Sequence, residues 1–326
     1  MLNNFVNSQD LYDLIDKGPK ALPQILARLV FGKQQLVKAA WAHTDNPPTN
    51  WWDIPAVRAR WNQLVSGAAA VDYHEYISRK WFKDRYSMRA LSLGCGTGHN
   101  ELIWAGLGKF DRIDAYDLSE QRIRTATEAV VRNGFSNKIN YSIGDVFDIE
   151  MQENHYDVIM VEQSLHHFSP LNDILLRIRK FLKTDGYFII NEYAGPTRFQ
   201  WTDRQLEAVN GLLSVLPVKY RTLWGSGTIK RKAGKPSRLH MLLSDPSEAV
   251  ESERIMPQLR QIFEVVEVRG YGGSILHLLF NGIAHNFLSD DTETQNYLDV
   301  IFKVEDLLLN SGDVQSDFIV AVCRKR

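Results

Sequence analysis

The stretch LSLGCGTGHNE, residues 91–101, places glycines at positions 94, 96 and 98 directly after a short apolar run. Glycine lets the backbone turn sharply and lets a ligand lie against the main chain, and a following helix N-terminus favours a negative group. The pattern predicts a buried strand that enters the turn and a helix that leaves it. A plain tight turn has the same appearance, so the flanking sequence has to decide between the two interpretations.

Short apolar runs alternate with helical patterns between about residues 88 and 192, which is typical of a parallel sheet with crossover helices. Two further apolar runs lie near the C-terminal end. The seven predicted strands are Ala90–Leu93, Ile113–Asp117, Ile139–Ile143, Asp157–Val161, Tyr187–Asn191, Phe263–Val268 and Phe318–Cys323. We therefore expect an α/β fold with a doubly wound, mostly parallel, seven-stranded sheet.

Two acidic residues follow the next two predicted strands. Asp117 ends the second strand, and Asp145 follows the third in SIGDVF. In dinucleotide-binding α/β folds, an acid about 20 residues beyond the glycines binds a ribose. Each acid alone is also compatible with a helix cap or a turn. A glycine turn and two acids at the ends of successive strands instead indicate one shared ligand crevice.

The motifs LGCGTG, AYDLS and SIGDVF resemble the successive cofactor motifs of class I, Rossmann-like, S-adenosylmethionine-dependent methyltransferases, over about residues 90–193. The resemblance implies that the glycines pass close to the methionine part of S-adenosyl-L-methionine, whose product is S-adenosyl-L-homocysteine. It also implies that Asp117 accepts hydrogen bonds from both ribose hydroxyls, and that Asp145 with Val146 flanks the adenine. The expected cofactor-binding residues are Gly94, Cys95, Gly96, Gly98, Asp117, Leu118, Asp145, Val146 and Glu162.

His166 and His167 follow the fourth strand in VEQSLHHFSP. The pair resembles one that is common in small-molecule methyltransferases of this class, where a histidine borders the methyl acceptor. Imidazole titrates near pH ~6.5 and can accept a proton from a hydroxyl or an amine. Neighbouring residues cannot easily both face one site, so we expect His167, rather than His166, to be the catalytic base. The alternative is that both cap the next helix or pack against Phe168.

Polar and aromatic residues also leave the fifth predicted strand at the same edge of the sheet. Glu192 and Tyr193 end that strand, and Arg198 follows the break at Gly195–Pro196. Such a combination suits a pocket wall or lid, so Glu192, Tyr193 and Arg198 are the predicted substrate-binding residues. Aromatic residues here are equally compatible with core packing.

Two other features favour a structural interpretation. The run KRKAGKPSRLH holds five basic residues between Lys230 and Arg238 and could bind a phosphate, a sulfate or an acidic sugar, but a solvated loop is favoured. His240, His277 and His285 lie in amphipathic patterns without metal-ligand spacing, so we expect structural histidines and no metal site.

The chain is predicted to begin with a helical cap, residues 1–86, which includes a helix in ALPQILARLVFGKQQLVKAAW. Residues 87–326 then form the methyltransferase domain, with helical insertions at about 195–260, after the fifth strand, and 274–312. We expect the cap and the first insertion to cover the strand ends, which suits a small acceptor better than a polymer.

Composition excludes several classes of protein. A net charge of −1 gives no reason to expect a nucleic-acid partner. Cys95 and Cys323 belong to no metal or disulfide pattern. The N-terminal sequence lacks a signal-peptide pattern, and no apolar run approaches the ~20 residues of a membrane span, so a cytoplasmic protein with no membrane partner is expected. Oligomeric state stays open, with a homodimer as one option.

These observations predict a methyltransferase that acts on an oxygen or nitrogen atom of a small molecule or glycan-type metabolite. A macromolecular (RNA or protein) methyltransferase is an alternative, although the near-neutral charge disfavours it. An NAD-dependent oxidoreductase is another, but the glycine spacing here is G-x-G-x-G rather than G-x-G-x-x-G. A non-catalytic regulator that keeps the cofactor pocket is the third.

Overall fold

The computed structural model describes residues 49–238, 241 and 245–326. The predicted helix over residues 21–41 and His240 lie outside the described residues. The strands are β1 (Met88–Leu93), β2 (Phe110–Asp117), β3 (Ile139–Ile143), β4 (Tyr156–Glu162), β5 (Leu182–Tyr193), β6 (Phe263–Gly270) and β7 (Phe318–Lys325). The described helices are α1 (Pro55–Ser66), α2 (Tyr73–Trp81), α3 (His99–Gly106), α4 (Glu120–Arg132), α5 (Leu171–Phe181), α6 (Asp203–Val215), α7 (Ile255–Ile262), α8 (Leu276–Phe280) and α9 (Thr292–Ser311).

The seven strands form one sheet in the order β3-β2-β1-β4-β5-β7-β6. Strands β1 to β5 run parallel, whereas β7 lies antiparallel to both β5 and β6. The chain order reverses between β1 and β4, and ligands of open α/β sheets bind outside the strand ends at such a point. The predicted α/β, mostly parallel, seven-stranded Rossmann-like sheet is confirmed.

Both faces of the sheet are buried, as a doubly wound fold requires. Along β4, Val158 and Met160 belong to one apolar core, while Ile159 and Val161 belong to a second one. Successive strand residues point to opposite faces, so the two cores lie on opposite sides of the sheet. This explains why β4 is a continuous apolar run rather than an alternating one.

The crossover helices follow the predicted patterns. In α4 the residues Ile123, Ala126 and Val130 are buried on one face, and the Ser119 side chain accepts a hydrogen bond from the Arg122 amide at the helix start. Gly134 then adopts a φ of 73°, the left-handed conformation that ends many helices. Local signals therefore determine both ends of this crossover.

The described parts of the two insertions hold less helix than predicted. In the described part of the first, α6 and α7 are separated by irregular chain and short 3-10 turns at Val218–Arg221 and Ser252–Arg254. In the second, α8 ends at Phe280, and Gly282 with a φ of 75° separates it from a 3-10 turn at Ala284–Phe287. The glycine breaks an apolar pattern that otherwise looks like one continuous helix.

The interpretation of the basic run as a solvated loop does not hold for Lys230. Its ammonium group donates hydrogen bonds to the backbone carbonyls of Leu278, Leu279 and Asn281 at 2.8, 3.1 and 2.7 Å. These carbonyls lie at the C-terminal end of α8, where a cation is favourable. Lys230 therefore attaches the first insertion to the second.

The helices before β1 pack against the sheet domain through named contacts. The Trp61 ring stacks on Tyr271 with centroids 4.2 Å apart, and the Tyr73 hydroxyl donates to Glu162 at 2.7 Å. Arg60 pairs with Glu305 at 3.0 Å on α9. Across the described residues, each helix is too short or too polar to cross a membrane.

Candidate functional site

The glycine turn at the end of β1 is tightly packed on two sides. Gly94, Gly96 and Gly98 have φ values of 73°, 55° and 81°, which side-chain-bearing residues rarely adopt. A Cβ at Gly94 would lie 2.5 Å from the Ser164 Cβ, and one at Gly98 would lie 2.4 Å from the Tyr141 hydroxyl. At Gly96 the nearest atom would be 3.5 Å away. That atom belongs to the Arg122 guanidinium, at ordinary van der Waals distance, so Gly96 is the least crowded of the three glycines.

Asp117 lies at the end of β2 and is only 6% exposed. Its carboxylate accepts hydrogen bonds from the Gly96 amide at 2.9 Å and the Ser119 amide at 2.8 Å, one on each oxygen. A carboxylate oxygen can accept two hydrogen bonds, so each retains capacity for a further donor. This arrangement fits the two hydroxyls of a ribose, and it also fixes the glycine turn.

The other predicted cofactor residues gather around the same strand ends. Asp145 follows β3 and accepts a hydrogen bond from the Phe147 amide at 3.0 Å. Val146 is buried, while Cys95 and Leu118 are partly exposed. Burial raises the pKa of the Cys95 thiol well above its usual range, so the group is an uncharged thiol at neutral pH.

Glu162 has a different environment from the other predicted cofactor residues. It is buried at the end of β4, where its carboxylate accepts from the Tyr73 hydroxyl at 2.7 Å and from the Trp104 indole at 3.3 Å. Both partners are protein side chains that pack under the strand ends. The geometry favours a structural role for Glu162, and its contact with a cofactor stays a prediction.

The turn Leu165–His167 after β4 is held by Glu192 of β5. The Glu192 carboxylate accepts from the Ser164 and Leu165 amides at 3.0 and 2.6 Å and contacts His166 Nδ1. Glu192 has no exposed surface. Glu192 therefore orients the histidine turn through these buried contacts, whereas the sequence suggested that its side chain contacts a substrate.

Glu248, which the sequence patterns did not single out, completes this cluster. Its two carboxylate oxygens lie 3.4 Å from His166 Nε2 and 3.9 Å from His167 Nε2. On the other side of the ring, His167 Nδ1 lies 3.2 Å from the Ser247 hydroxyl and 3.9 Å from Asp245. We call His166, His167 and Glu248 the His–Glu cluster.

Arg198 holds the segment that carries Glu248. Its guanidinium donates to the backbone carbonyls of Pro246 at 2.8 Å and Glu248 at 3.1 Å, and its amide donates to Ala249 at 2.7 Å. Arg198 is thus a positioning residue in this geometry. Arg198 and Ala249 themselves have φ values of 56° and 48°, which cost energy in a residue with a side chain. Strained backbone therefore flanks the cluster.

The two imidazoles are shifted in opposite directions. Burial opposes the charge of His166, but the carboxylates of Glu192 and Glu248 outweigh it and raise its pKa to about 10. Burial and the adjacent charge of His166 lower the pKa of His167 to about 3. At neutral pH, His166 is an imidazolium and His167 is a neutral ring. His166 is already protonated and cannot be the base.

Tyr193 belongs to an aromatic group beside the cluster. Its ring packs edge-on against Phe199 and Phe318 with centroids 5.1 and 5.3 Å apart, and its hydroxyl donates to the Pro196 carbonyl at 3.0 Å. The His166 ring lies 6.2 Å away. Tyr193 therefore forms a wall of the cluster, and its hydroxyl is engaged by the backbone.

Comparison with known proteins identifies a domain over the glycine turn and the strands that follow. Residues 84–234 match a family model described as a methyltransferase domain. A demethylmenaquinone methyltransferase of Bacteroides fragilis is 26% identical over 119 residues, 36% of this chain and 49% of that protein. A malonyl-[acyl-carrier protein] O-methyltransferase of Bacillus cereus is 28% identical over 143 residues, 40% of this chain and 51% of that protein.

The chain thus spans about half the length of these curated relatives. Among solved structures, an S-adenosylmethionine-dependent methyltransferase from Mesorhizobium loti is 16% identical, with a TM-score of 0.44. The match covers 77% of this chain and 98% of that one.

Proposed function

We propose that this chain is an S-adenosylmethionine-dependent enzyme that methylates an oxygen or nitrogen atom of a small-molecule or glycan-type metabolite. Residues 84–234 match a methyltransferase domain, and the glycine turn and the two acids resemble the cofactor motifs of the class I enzymes. The main support is the packing of Ser164 against Gly94. This contact brings the histidine turn directly beside the glycine turn. A cofactor on Asp117 and Gly96 would then have the His–Glu cluster as its neighbour.

S-adenosylmethionine, when bound, supplies an electrophilic methyl carbon on a positively charged sulfur. The chain's own part is to hold the acceptor in line, exclude water and accept a proton. Asp117 and Asp145 would bind the ribose and the adenine end. Gly94 and Gly98 shape the turn, and Gly96 lets the methionine part lie against the backbone.

His167 is the residue that we propose to face the acceptor. Its ring is neutral, so Nε2 can accept a hydrogen bond and then the proton of the acceptor. The proton becomes strongly acidic only as the new bond to carbon forms, so a base of low pKa suffices at that stage. Glu192 and the charged His166 hold the turn in place, and Arg198 holds Glu248 opposite it.

The helices and the insertion around the carboxyl ends of the strands favour a small methyl acceptor. Helices α1 and α2 and the first insertion pack around this edge through Tyr73, Trp61 and Arg198. The net charge of −1 offers no general attraction for nucleic acid. The similar Bacteroides fragilis enzyme is named as a methyltransferase of demethylmenaquinone. We propose a cytoplasmic location, consistent with two free cysteines, and leave a homodimer open.

Calorimetry with the full chain tests the cofactor assignment. S-adenosylhomocysteine should bind with one site per chain, and NADH should not bind. A methyl-transfer assay with labelled S-adenosylmethionine and metabolite extracts then distinguishes an enzyme from a regulator. Binding of NADH instead of S-adenosylhomocysteine would overturn the proposal.

The role of His167 is tested by His167→Ala. We expect turnover to fall by about 100-fold or more, the usual contribution of a positioned proton-transfer group, with little change in S-adenosylhomocysteine affinity. The matched control is His285→Ala, because the His285 ring packs edge-on against Trp224. Equal turnover in both variants would reduce His167 to a packing residue.

A further inference from the structure

We propose that the His–Glu cluster is a binding site for a divalent transition-metal ion, with His166 Nε2, His167 Nε2 and the Glu248 carboxylate as its ligands. The ion would displace the Nε2 proton of the His166 imidazolium to solvent, because only a neutral imidazole nitrogen binds a metal. Two imidazoles and one carboxylate with open positions are a donor set that suits zinc, iron(II) or manganese. The ion site itself is independent of the proposed function. Its use in methyl transfer rests on that function.

The first support is the convergence of the three side chains. Their ligand atoms all lie within 4.8 Å of one another. Metal bonds of about 2.0–2.2 Å in a tetrahedral site place neighbouring ligand atoms about 3.3 Å apart. His166 Nε2 lies 3.4 Å from Glu248 Oε1, and His167 Nε2 lies 3.9 Å from Glu248 Oε2. Each imidazole nitrogen is therefore near that spacing from one of the two carboxylate oxygens.

The same distances are too long for a well-formed imidazole–carboxylate hydrogen bond. Charge-assisted hydrogen bonds have donor–acceptor distances of about 2.7–2.9 Å. Glu248 lies farther than this from both imidazoles, even though its carboxylate points between them. These distances are those of a loose ion pair, and they leave Glu248 free to share a cation with the two imidazoles.

The second support is the set of groups behind each histidine. Metal-binding histidines usually donate their other ring N–H to a carboxylate, a carbonyl or water, which fixes the orientation of the ring. Here His166 Nδ1 contacts Glu192, and His167 Nδ1 lies 3.2 Å from the Ser247 hydroxyl, which in turn donates to Asp245 at 2.5 Å. Both Nε2 atoms are thereby directed towards Glu248.

The third support is the way in which Glu248 is held. The Val250 amide donates to the His166 carbonyl at 3.2 Å, which ties the two ligand segments together although they are about eighty positions apart in the chain. Arg198 binds two carbonyls of the Glu248 segment, and Ala249 keeps a φ of 48°. A strained backbone that is clamped from both sides is typical of functional sites.

The position of the cluster indicates what the ion would do and which class of methyl acceptor it would bind. The Glu248 side chain is 26% exposed, so the cluster is reachable, while both histidine side chains are about one-tenth exposed. A borderline ion with three protein ligands keeps a position for an oxygen donor. With the ion bound, His167 Nε2 would be a metal ligand and not the proton acceptor. The methyl acceptor would then be a hydroxyl compound whose oxygen is held and made more acidic by the ion, so that its proton passes to solvent.

Titration of the chelator-treated full chain with Zn²⁺ and with Mn²⁺, followed by calorimetry, tests the site. We expect one ion per chain for at least one of these metals, and at least a tenfold loss of affinity in Glu248→Gln. Glu253→Gln is the matched control, since Glu253 is exposed on the same segment and should bind like the parent. His167→Asn should reproduce the loss, so the test does not depend on one variant's folding.

The proposal is overturned if the parent binds neither ion, or if folded Glu248→Gln and His167→Asn both bind as tightly as Glu253→Gln. S-adenosylhomocysteine titration of the same samples separates the two claims. If the parent binds a metal ion but not S-adenosylhomocysteine, the proposed function alone is refuted. Cofactor binding without any metal binding would refute the ion site alone.

Discussion

At the scale of single residues, Asp117 combines a structural and a binding role. It already accepts two backbone hydrogen bonds, so replacement by asparagine keeps one acceptor and the shape while removing the charge. We expect Asp117→Asn to weaken S-adenosylhomocysteine binding by about 1–3 kcal/mol, which is about 5- to 150-fold. Calorimetry measures this, with Asp111→Asn, exposed on the same strand, as the control. Equal affinities would remove Asp117 from the ribose site.

Glu101 at the start of α3 gives a pH prediction. It is 2% exposed and accepts a hydrogen bond from Ser92 at 2.5 Å, and burial raises its pKa to about 8 from 4.5. A carboxyl that is harder to ionise in the folded state costs stability as the pH rises. The loss begins above pH 4.5, amounts to up to about 1.4 kcal/mol for each pH unit, and ends near pH 8.

Thermal unfolding of the cofactor-free chain between pH 5 and pH 8 measures this effect. We expect Glu101→Gln to decline less over this window than the parent, because its amide does not titrate. Glu128→Gln, exposed on α4, should follow the parent curve. Parallel curves for all three proteins would show that Glu101 is ionised in the fold.

At the scale of elements, the glycine turn depends on both conformation and space. Gly94 and Gly67 have φ values of 73° and 83°, but a Cβ at Gly67 would meet no atom within 4 Å. Gly67→Ala should therefore cost only the left-handed strain, about 1–2 kcal/mol. Gly94→Ala should cost more, because it also collides with Ser164. Chemical denaturation compares the two, and equal losses would mean that the turn moves freely away from β4.

The elements that sequence predicted best are those with local signals. Periodic apolar residues and caps identified all seven strands and α4, and the position of Asp117 at a strand end follows from the same pattern. Glu248 could not be found in this way, because irregular chain carries it and tertiary contacts from Arg198 place it. Lys230 was misjudged for the same reason, since the carbonyls that it binds lie about fifty positions away in the sequence.

The contacts of Glu192 could not be predicted from the sequence for a related reason. A polar residue at a strand mouth has the same sequence signature whether it faces a ligand or the neighbouring turn. The choice depends on the backbone amides of Ser164 and Leu165, which become donors for Glu192 only after β4 and β5 pair. Sequence alone located the edge of the sheet that carries the site, and the three-dimensional contacts assigned the parts within it.

At the scale of the whole molecule, an ion pair connects the helices before the sheet to α9. Glu305 is fully buried, accepts from the Ile275 amide at 2.9 Å and pairs with Arg60 at 3.0 Å. Removing one partner of a buried pair leaves an uncompensated charge and costs about 3–5 kcal/mol. We therefore expect Arg60→Met to be strongly destabilising in chemical denaturation.

The double variant Arg60→Met/Glu305→Gln tests whether the unpaired Glu305 carboxylate causes this loss of stability. It removes both charges while the glutamine carbonyl still accepts from the Ile275 amide, so it should recover a large part of the lost stability. If the double variant is as unstable as Arg60→Met, packing of the arginine stem rather than the stranded carboxylate is responsible.

The position of β7 between β5 and β6 has a consequence for biosynthesis. Strand β6 pairs with β7 and with no other strand of the described sheet, yet β7 is translated about fifty residues after it. A ribosome adds about 5–20 residues per second, so the nascent β6 waits several seconds with both edges unpaired. During that interval the emerging chain offers the open edge of β5 and both edges of β6, to which chaperones or other nascent chains can bind.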